Sequence, residues 1–172
     1  MKTIHLLRHA KSSWKDLTIQ DFDRPLNNRG KLSAKYMAEK LNKENFKPDH
    51  IFCSPAKRTK ETYEYFNSVF HFNNKVEFIE KIYEANYPTL LSLINKTDDK
   101  LNSVLIIGHN PSLSILASEL IEGNINLVTC NIISIQFNVD NWAEIFSGCG
   151  ELIRFDYPKK NDEFIKILWN SK

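Results

Sequence analysis

The sequence predicts a three-layer α/β/α fold, a mostly parallel central sheet with helices on both faces and an antiparallel edge. Three observations predict it. Short apolar runs of strand length alternate with amphipathic helical segments, turn signals follow each run, and beyond Gly123 the pattern changes to strand followed by strand. Strands joined through helices need crossover connections, which build a parallel sheet covered on both faces.

The elements follow in order. Thr3 to Leu7 reads as the first strand. Asn27 can cap a helix in which Leu32, Tyr36, Met37 and Leu41 recur at near-helical spacing, and Pro48 stops that segment. His50 to Cys53 is the second strand. A second helix carries Tyr63, Phe66 and Phe70, with Ser54 at the N-cap and Pro55 at the favoured first position. The aromatic series is most economically core packing. Val76 to Ile79 is a third strand, and Pro88 opens a helix carrying Leu90, Leu91 and Ile94. Val104 to Ile107 is a fourth strand. Asn110-Pro111 then opens a helix carrying Leu113, Leu116, Ala117, Leu120 and Ile121 before Gly123. Asn131 to Val139 and Glu151 to Tyr157 read as strands separated by little except Trp142 to Gly150, as expected of an antiparallel edge or hairpin. Pro158 to Lys172 is either a helix carrying Phe164, Ile165, Leu168 and Trp169 or a loosely docked tail.

Length and composition bound the function. The 172 residues suit one hydrophobic core, and no repeat, linker or low-complexity segment divides them, so residues 1–172 are expected to form a single domain. A hydrophobic fraction of 42% with 26% charged residues excludes a disordered or collagen-like chain. With 23 Lys and Arg against 21 Asp and Glu, the net charge of +2 is too small to recommend nucleic acid as a partner. Leu6-Leu7 is cut off by Arg8-His9, so there is neither a signal-peptide core nor a membrane span, and a cytoplasmic protein with no membrane partner is expected. Cys53, Cys130 and Cys149 form no CxxC pair and are odd in number, which argues against a disulfide framework or a cysteine-rich zinc site. Buried or otherwise inert thiols are expected. His5, His50 and His71 lack partner ligands at metal spacing and are assigned no chemistry.

Three strand ends carry the chemistry. Arg8-His9 ends the first strand, Ser54-Pro55 with Arg58 follows the second, and Gly108-His109-Asn110-Pro111 follows the strand from Val104. In open parallel sheets ligands bind beyond the carboxyl ends of the strands, so these segments can converge on one crevice. Two of them begin helices, whose free N–H groups attract an anion. The chain has only five Arg, and four of them lie within the first 58 positions. A guanidinium grips phosphate bidentately, so with His9 and His109 the anion is most simply a phosphoryl group. An isolated His is more often a satisfied core residue, but a strand end beside Arg8 reverses that reading for His9. His109, between Gly108 and a helix start, is aimed at the same crevice. Arg58 opposes the dipole of its own helix and needs an anion to justify it. Arg24 and Arg29 are expected to pair with Asp21 or Asp23 and order the loop after His9.

Leu7-Arg8-His9-Ala10-Lys11 resembles the Arg-His-Gly or Arg-His-Ala signature of the histidine phosphatase, or phosphoglycerate mutase-like, superfamily. The ordered set agrees: Asp21 to Asn27 with Arg29-Gly30, Ser54 to Thr59 with Glu61-Thr62, and Ile107 to Pro111. Together these cover residues 3 to about 123, and the short chain is most similar to SixA-type phosphohistidine phosphatases. The resemblance implies a phosphoglycerate mutase-like fold with His9 as a nucleophile that forms a phosphohistidine intermediate. It also implies that Arg8, Arg58 and His109 bind the phosphoryl oxygens, with no metal or cofactor.

An imidazole attacks only when neutral, and flanking guanidinium groups disfavour its protonated form. The same cations stabilise the charge of phosphoryl transfer. Glu84, in Ile82-Tyr83-Glu84-Ala85, follows the third strand near where the superfamily's phosphomonoesterases keep an acid, so it is either that general acid or a bystander. From Ile79 to Val104 there is space for one helix and no bulky lid. An open site suits a phosphorylated side chain on another protein, with Lys11, Lys15, Lys57 and Lys60 as a basic rim. The expected activity is therefore hydrolysis of protein phosphohistidine. Two rival readings are a phosphatase acting on a small phosphate ester through Glu84, and a non-catalytic module that binds phosphate without turnover.

Overall fold

The computed structural model describes residues 1–72 and 75–171, so Lys172 of the expected tail lies outside the described residues. The strands are β1 (Lys2–Arg8), β2 (His50–Cys53), β3 (Val76–Phe78), β4 (Ser103–Gly108), β5 (Ile132–Phe137) and β6 (Gly150–Asp156). The helices are α1 (Asn28–Lys43), α2 (Lys57–Phe70), α3 (Tyr87–Asn95), α4 (Ser112–Leu120) and α5 (Asp162–Asn170). The strands form one sheet in the order β3-β2-β4-β1-β5-β6. Its β3-β2, β2-β4 and β4-β1 pairings are parallel, and its β1-β5 and β5-β6 pairings are antiparallel. The fold class and the antiparallel edge are as expected.

Period-two alternation of side chains explains why the central strands read as continuous apolar runs. Leu7, Ile51, Cys53, Leu105, Ile107 and Ile132 face a core shared with α1, α2 and α5. Their neighbours Leu6, Phe52, Val104, Ile106 and Ile133 face a second core shared with α3 and α4. Burying each large aliphatic side chain contributes about 1.5–3 kcal/mol, which fixes the register, because a one-residue slip would exchange the two faces.

One local expectation changes and one open alternative is resolved. The second helix starts at Lys57 with Ala56 as its N-cap and no side-chain cap, so Ser54 is not the cap. The Ser54 hydroxyl bonds instead to His109 Nε2 at 2.8 Å. The C-terminal segment takes the helical alternative, with Phe164 fully buried 5.2 Å from the Tyr36 ring while Ile165 and Trp169 stay exposed. All three cysteines are free, Cys53 and Cys130 are buried, and burial pushes both of these thiols up. Among the described residues no helix is long and apolar enough to cross a membrane.

The chain leaving β1 is pinned to the start of α1. Asn27 donates its backbone N–H to the Lys11 carbonyl at 3.0 Å and its side-chain amide to the Ser12 carbonyl at 3.2 Å. The Asn27 Oδ1 accepts from Gly30 N at 2.8 Å, the N-cap expected from the sequence. This contact requires glycine at position 30, because a Cβ there would lie 2.1 Å from the Lys11 carbonyl oxygen. Gly30→Ala should therefore destabilise the fold by about 1–3 kcal/mol or more, read as a lower urea midpoint at unchanged slope. An unchanged midpoint would show that the two segments do not pack this closely.

Candidate active site

The register of the parallel strands brings the three marked ends level. Arg8 is opposite Gly108, and Cys53 is opposite Ile107. His9, Ser54 and His109 are each the first residue beyond their strand. His9 N still donates to the Gly108 carbonyl at 3.1 Å, and Ser54 N to the Ile107 carbonyl at 3.0 Å. His9 and His109, with Arg58 in the first turn of α2, line a cleft of about 610 Å³ that Arg8, Tyr83 and Glu84 also line, while Ser54 is fully buried behind it. His9, His109, Arg8 and Arg58 thus come together as the sequence leads one to expect.

His9 is fixed in one tautomer by its own loop. Its Nδ1 lies 2.7 Å from the Ala10 carbonyl, which can only accept, so the ring hydrogen sits on Nδ1 and Nε2 keeps its lone pair. Arg58 Nε donates to that lone pair at 3.3 Å. Burial is the main reason that the His9 pKa falls to about 3, partly opposed by the Ala10 hydrogen bond and reinforced by His109, Arg58 and Arg8. The loop is steadied from α2, where Thr62 Oγ1 accepts from Ala10 N at 3.0 Å and donates to the Arg58 carbonyl at 2.7 Å.

Asp21 organises the cations. Arg58 donates from Nη1 to the Asp21 carbonyl at 2.5 Å and from Nη2 to Asp21 Oδ2 at 2.9 Å. The Tyr83 hydroxyl donates to the same Oδ2 at 2.9 Å, and Arg24 binds Oδ1 through Nε at 3.0 Å and Nη2 at 2.7 Å. Burial raises the Asp21 pKa, but the hydrogen bonds from Tyr83 and Arg58 and the charges of Arg58 and Arg24 outweigh it and hold the carboxyl below its ordinary range. Trp14 covers the other side of this cluster, its ring stacked 3.5 Å from the Arg24 guanidinium.

The remaining groups are less fully paired. Arg8 donates Nη1 to the Leu127 carbonyl at 2.7 Å, while its buried Nε has no partner among the described residues. His109 bonds through Nε2 to Ser54, and its buried Nδ1 likewise has none. Burial, then Arg58 and Arg8, lower the His109 pKa to about 3 against the opposing charge of Asp21. An arginine N–H with an unmet hydrogen bond and an unpartnered ring nitrogen, both beside the neutral His9, suit an anion. Among the described residues no group of three or more His, Cys, Asp or Glu side chains is arranged to hold a metal ion.

Several expectations are refined. Arg24 pairs with Asp21, whereas Arg29 pairs with neither aspartate and lines a groove against α5 with Lys159 and Leu168. The anion answering Arg58 within the chain is Asp21. Of the four rim lysines only Lys11 lines the cleft. Lys57 and Lys60 point outward from the exposed side of α2, where the Lys60 ammonium lies 5.4 Å from the Phe78 ring, and Lys15 sits on an exposed loop. Glu84 stands at the cleft edge in a left-handed conformation (φ 55°), exposed and without a hydrogen bond among the described residues. Sequence reasoning missed Tyr83, and it missed that Asp21 would bridge Arg24 to Arg58. The signal for Asp21 was its place in the segment before Arg24.

A model of the histidine phosphatase superfamily (branch 1) matches residues 4–100. An uncharacterized chloroplastic protein of Arabidopsis thaliana is 32% identical over 154 residues, 84% of this chain and 71% of its own length. An uncharacterized protein of Mycobacterium tuberculosis is 30% identical over 163 residues, 89% of this chain and all of its own. Among solved structures, the SixA protein of Agrobacterium tumefaciens is 27% identical, with a TM-score of 0.78 over 91% of this chain and 98% of that one. The protein histidine phosphatase SixA complexed with tungstate has a TM-score of 0.79 at 20% identity, over 92% of this chain and 98% of that one. A phosphoserine phosphatase of Entamoeba histolytica has a TM-score of 0.63 at 18% identity, over 91% of this chain and 97% of that one. The last two likenesses are of fold, and together with the first they make the fold phosphoglycerate mutase-like.

The buried imidazoles carry a stability consequence. His5, between Ser134 and Ser103, has its pKa lowered to about 4, mainly by burial, with Arg154 adding and Asp49 opposing. His5, His9 and His109 are therefore neutral in the folded chain while the unfolded chain protonates them near pH 6.5, so stability is full above that pH and falls toward pH 4 and 3. Urea midpoints should be level above pH 7 and lower at pH 5.5 and 4.5. Equal midpoints at pH 7.5 and 4.5 would contradict this burial of neutral rings.

Proposed function

The chain belongs to the histidine phosphatase superfamily, and from that premise we propose that it hydrolyses phosphohistidine on another protein through a covalent intermediate on His9. The observation that carries the reading is the neutral His9, whose Nε2 lone pair faces Arg58 while Nδ1 is tied to the Ala10 carbonyl. In the first step Nε2 attacks phosphorus in line, forming the His9 N–P bond as the substrate's N–P bond breaks. The substrate ring leaves as neutral imidazole, its other nitrogen having been protonated. In the second step water attacks the phosphorus, inorganic phosphate departs, a proton passes to solvent, and Nε2 regains its lone pair.

Arg8, Arg58 and His109 receive the phosphoryl oxygens in this reading. Arg58 stays held by Asp21 through Nη1 and Nη2 while its Nε faces the reacting nitrogen, so the charge that transfer demands is already oriented. Fixed guanidinium groups supply what a metal supplies elsewhere, and the reaction is assigned as independent of metal and cofactor. Only the turn Glu80–Ile82 and α3 intervene between β3 and β4, with no inserted lid, which supports a phosphorylated side chain on a cytoplasmic protein as substrate.

A second reading, hydrolysis of a small phosphate ester, is favoured by one observation, the place of Glu84 at the cleft edge. An alkoxide leaving group needs a general acid, worth about 10²–10⁴ in rate, whereas phosphohistidine carries a more easily protonated leaving group.

The two readings separate on hydrolysis of a histidine-phosphorylated protein and of an alkyl phosphate ester, glycerol 2-phosphate, in the presence of chelator. We expect release from the phosphoprotein, its loss in His9→Ala, a fall of about 10²–10³-fold in Arg58→Ala, and a change of less than about threefold in Glu84→Gln. Preference for the ester, lost selectively in Glu84→Gln, would replace the proposal with the second reading. No release from either substrate would make the chain a phosphate-binding module.

A further inference from the structure

His109 and Ser54 meet from different strand ends, and both are buried. The Ser54 Oγ lies 2.8 Å from His109 Nε2. A serine hydroxyl has one hydrogen to donate and two lone pairs with which to accept. Ala56 N–H makes a long contact to Oγ at 3.4 Å, which uses a lone pair. For the hydroxyl hydrogen, the acceptor within reach among the described residues is His109 Nε2. His109 Nδ1 is unpartnered in either tautomer, but the reverse arrangement, with a hydrogen on Nε2 donating to Oγ, would leave the buried hydroxyl hydrogen unmet as well, one further orphaned group at about 1–3 kcal/mol. Because His109 is held neutral by burial and by Arg58 and Arg8, its ring carries a single hydrogen whose position is open to such control.

We infer that Ser54 is a positioning residue that sets the tautomer of His109: its hydroxyl donates to Nε2, which keeps the ring hydrogen on Nδ1 as an N–H donor beside His9. That Nδ1 is the buried ring nitrogen without a partner among the described residues. The two rings of the site, with centroids 5.2 Å apart, are thus set to opposite tasks by their neighbours. The Ala10 carbonyl takes the His9 Nδ1 hydrogen and frees Nε2 to attack, while Ser54 occupies His109 Nε2 and leaves the Nδ1 hydrogen for a phosphoryl oxygen. This also explains why Ser54 does not cap α2. The tautomer stands independently of any substrate, and only its kinetic consequence rests on the proposed hydrolysis.

Long-range ¹H–¹⁵N correlation spectra of the full chain labelled in its imidazole rings test this directly at pH 7. Wild type should show His109 with its hydrogen on Nδ1. In Ser54→Ala the hydrogen should move wholly or partly to Nε2, inorganic phosphate should bind about tenfold more weakly, and kcat on the phosphoprotein should fall about 10–100-fold with a smaller change in KM. Ser54→Thr, which keeps the hydroxyl, should restore the wild-type tautomer and rate. A wild-type hydrogen on Nε2 would overturn the inference even if Ser54→Ala failed to fold. So would a Ser54→Ala protein that keeps the Nδ1 hydrogen. If neither substrate is hydrolysed, the spectra and the phosphate titration still decide, separating this inference from the proposed activity.

Discussion

The site depends on the parallel pairing of β4 with β1 on one side and β2 on the other. Those pairings are in register to their ends, so the residues that follow each strand emerge at one level of one sheet edge. The hydrogen bonds from His9 N and Ser54 N continue the ladder one residue further and carry the rigidity of the sheet into the cleft. The register itself is held by two apolar cores that a one-residue slip would exchange, so the packing that stabilises the fold is also what aligns the reactive groups.

On this edge the chain gathers cations around imidazoles that it keeps neutral. Arg58 and Arg24 are buried, and a buried unpaired guanidinium costs several kcal/mol. Asp21 offsets that cost by bridging both and by taking the Tyr83 hydroxyl as well. Its side chain is half exposed, so the carboxylate stays partly solvated while the arginines are fixed. The segment bearing Asp21 is in turn held by Leu26 N donating to Glu61 at 2.7 Å and by the close seat of Gly30 on Lys11. A loop whose regular structure is one 3-10 turn, Asp21–Asp23, and one bridge between Ser12 and Leu26 thereby becomes a fixed wall of the cleft.

Much of this was legible in the sequence because the signals were local. Apolar runs of strand length bounded by turns gave the six strands, Asn27 gave the start of α1, and a cationic or imidazole residue after each of three strands gave the cleft. What escaped depended on partners distant in sequence. Ser54 fits an N-cap by local rules, and only the return of β4 beside β2 brings His109 within reach of its hydroxyl. Arg58 correctly asked for an anion, but the sequence does not reveal that Asp21, 37 residues earlier, supplies one. Lys11 lines the cleft, but Lys57 and Lys60 do not, because α2 turns them away from it, a matter of helical phase that charge counting ignores.

The central claim is that a neutral His9 becomes the phosphoryl acceptor, and trapping the intermediate tests it most directly. Rapid mixing with a ³²P-labelled histidine-phosphorylated protein, an alkaline quench and localisation of the label should find a phosphoryl group on His9 that is stable in base and lost in acid. The label should appear faster than free phosphate and be absent from His9→Ala. Phosphate released at full rate with no label on His9 would contradict the account.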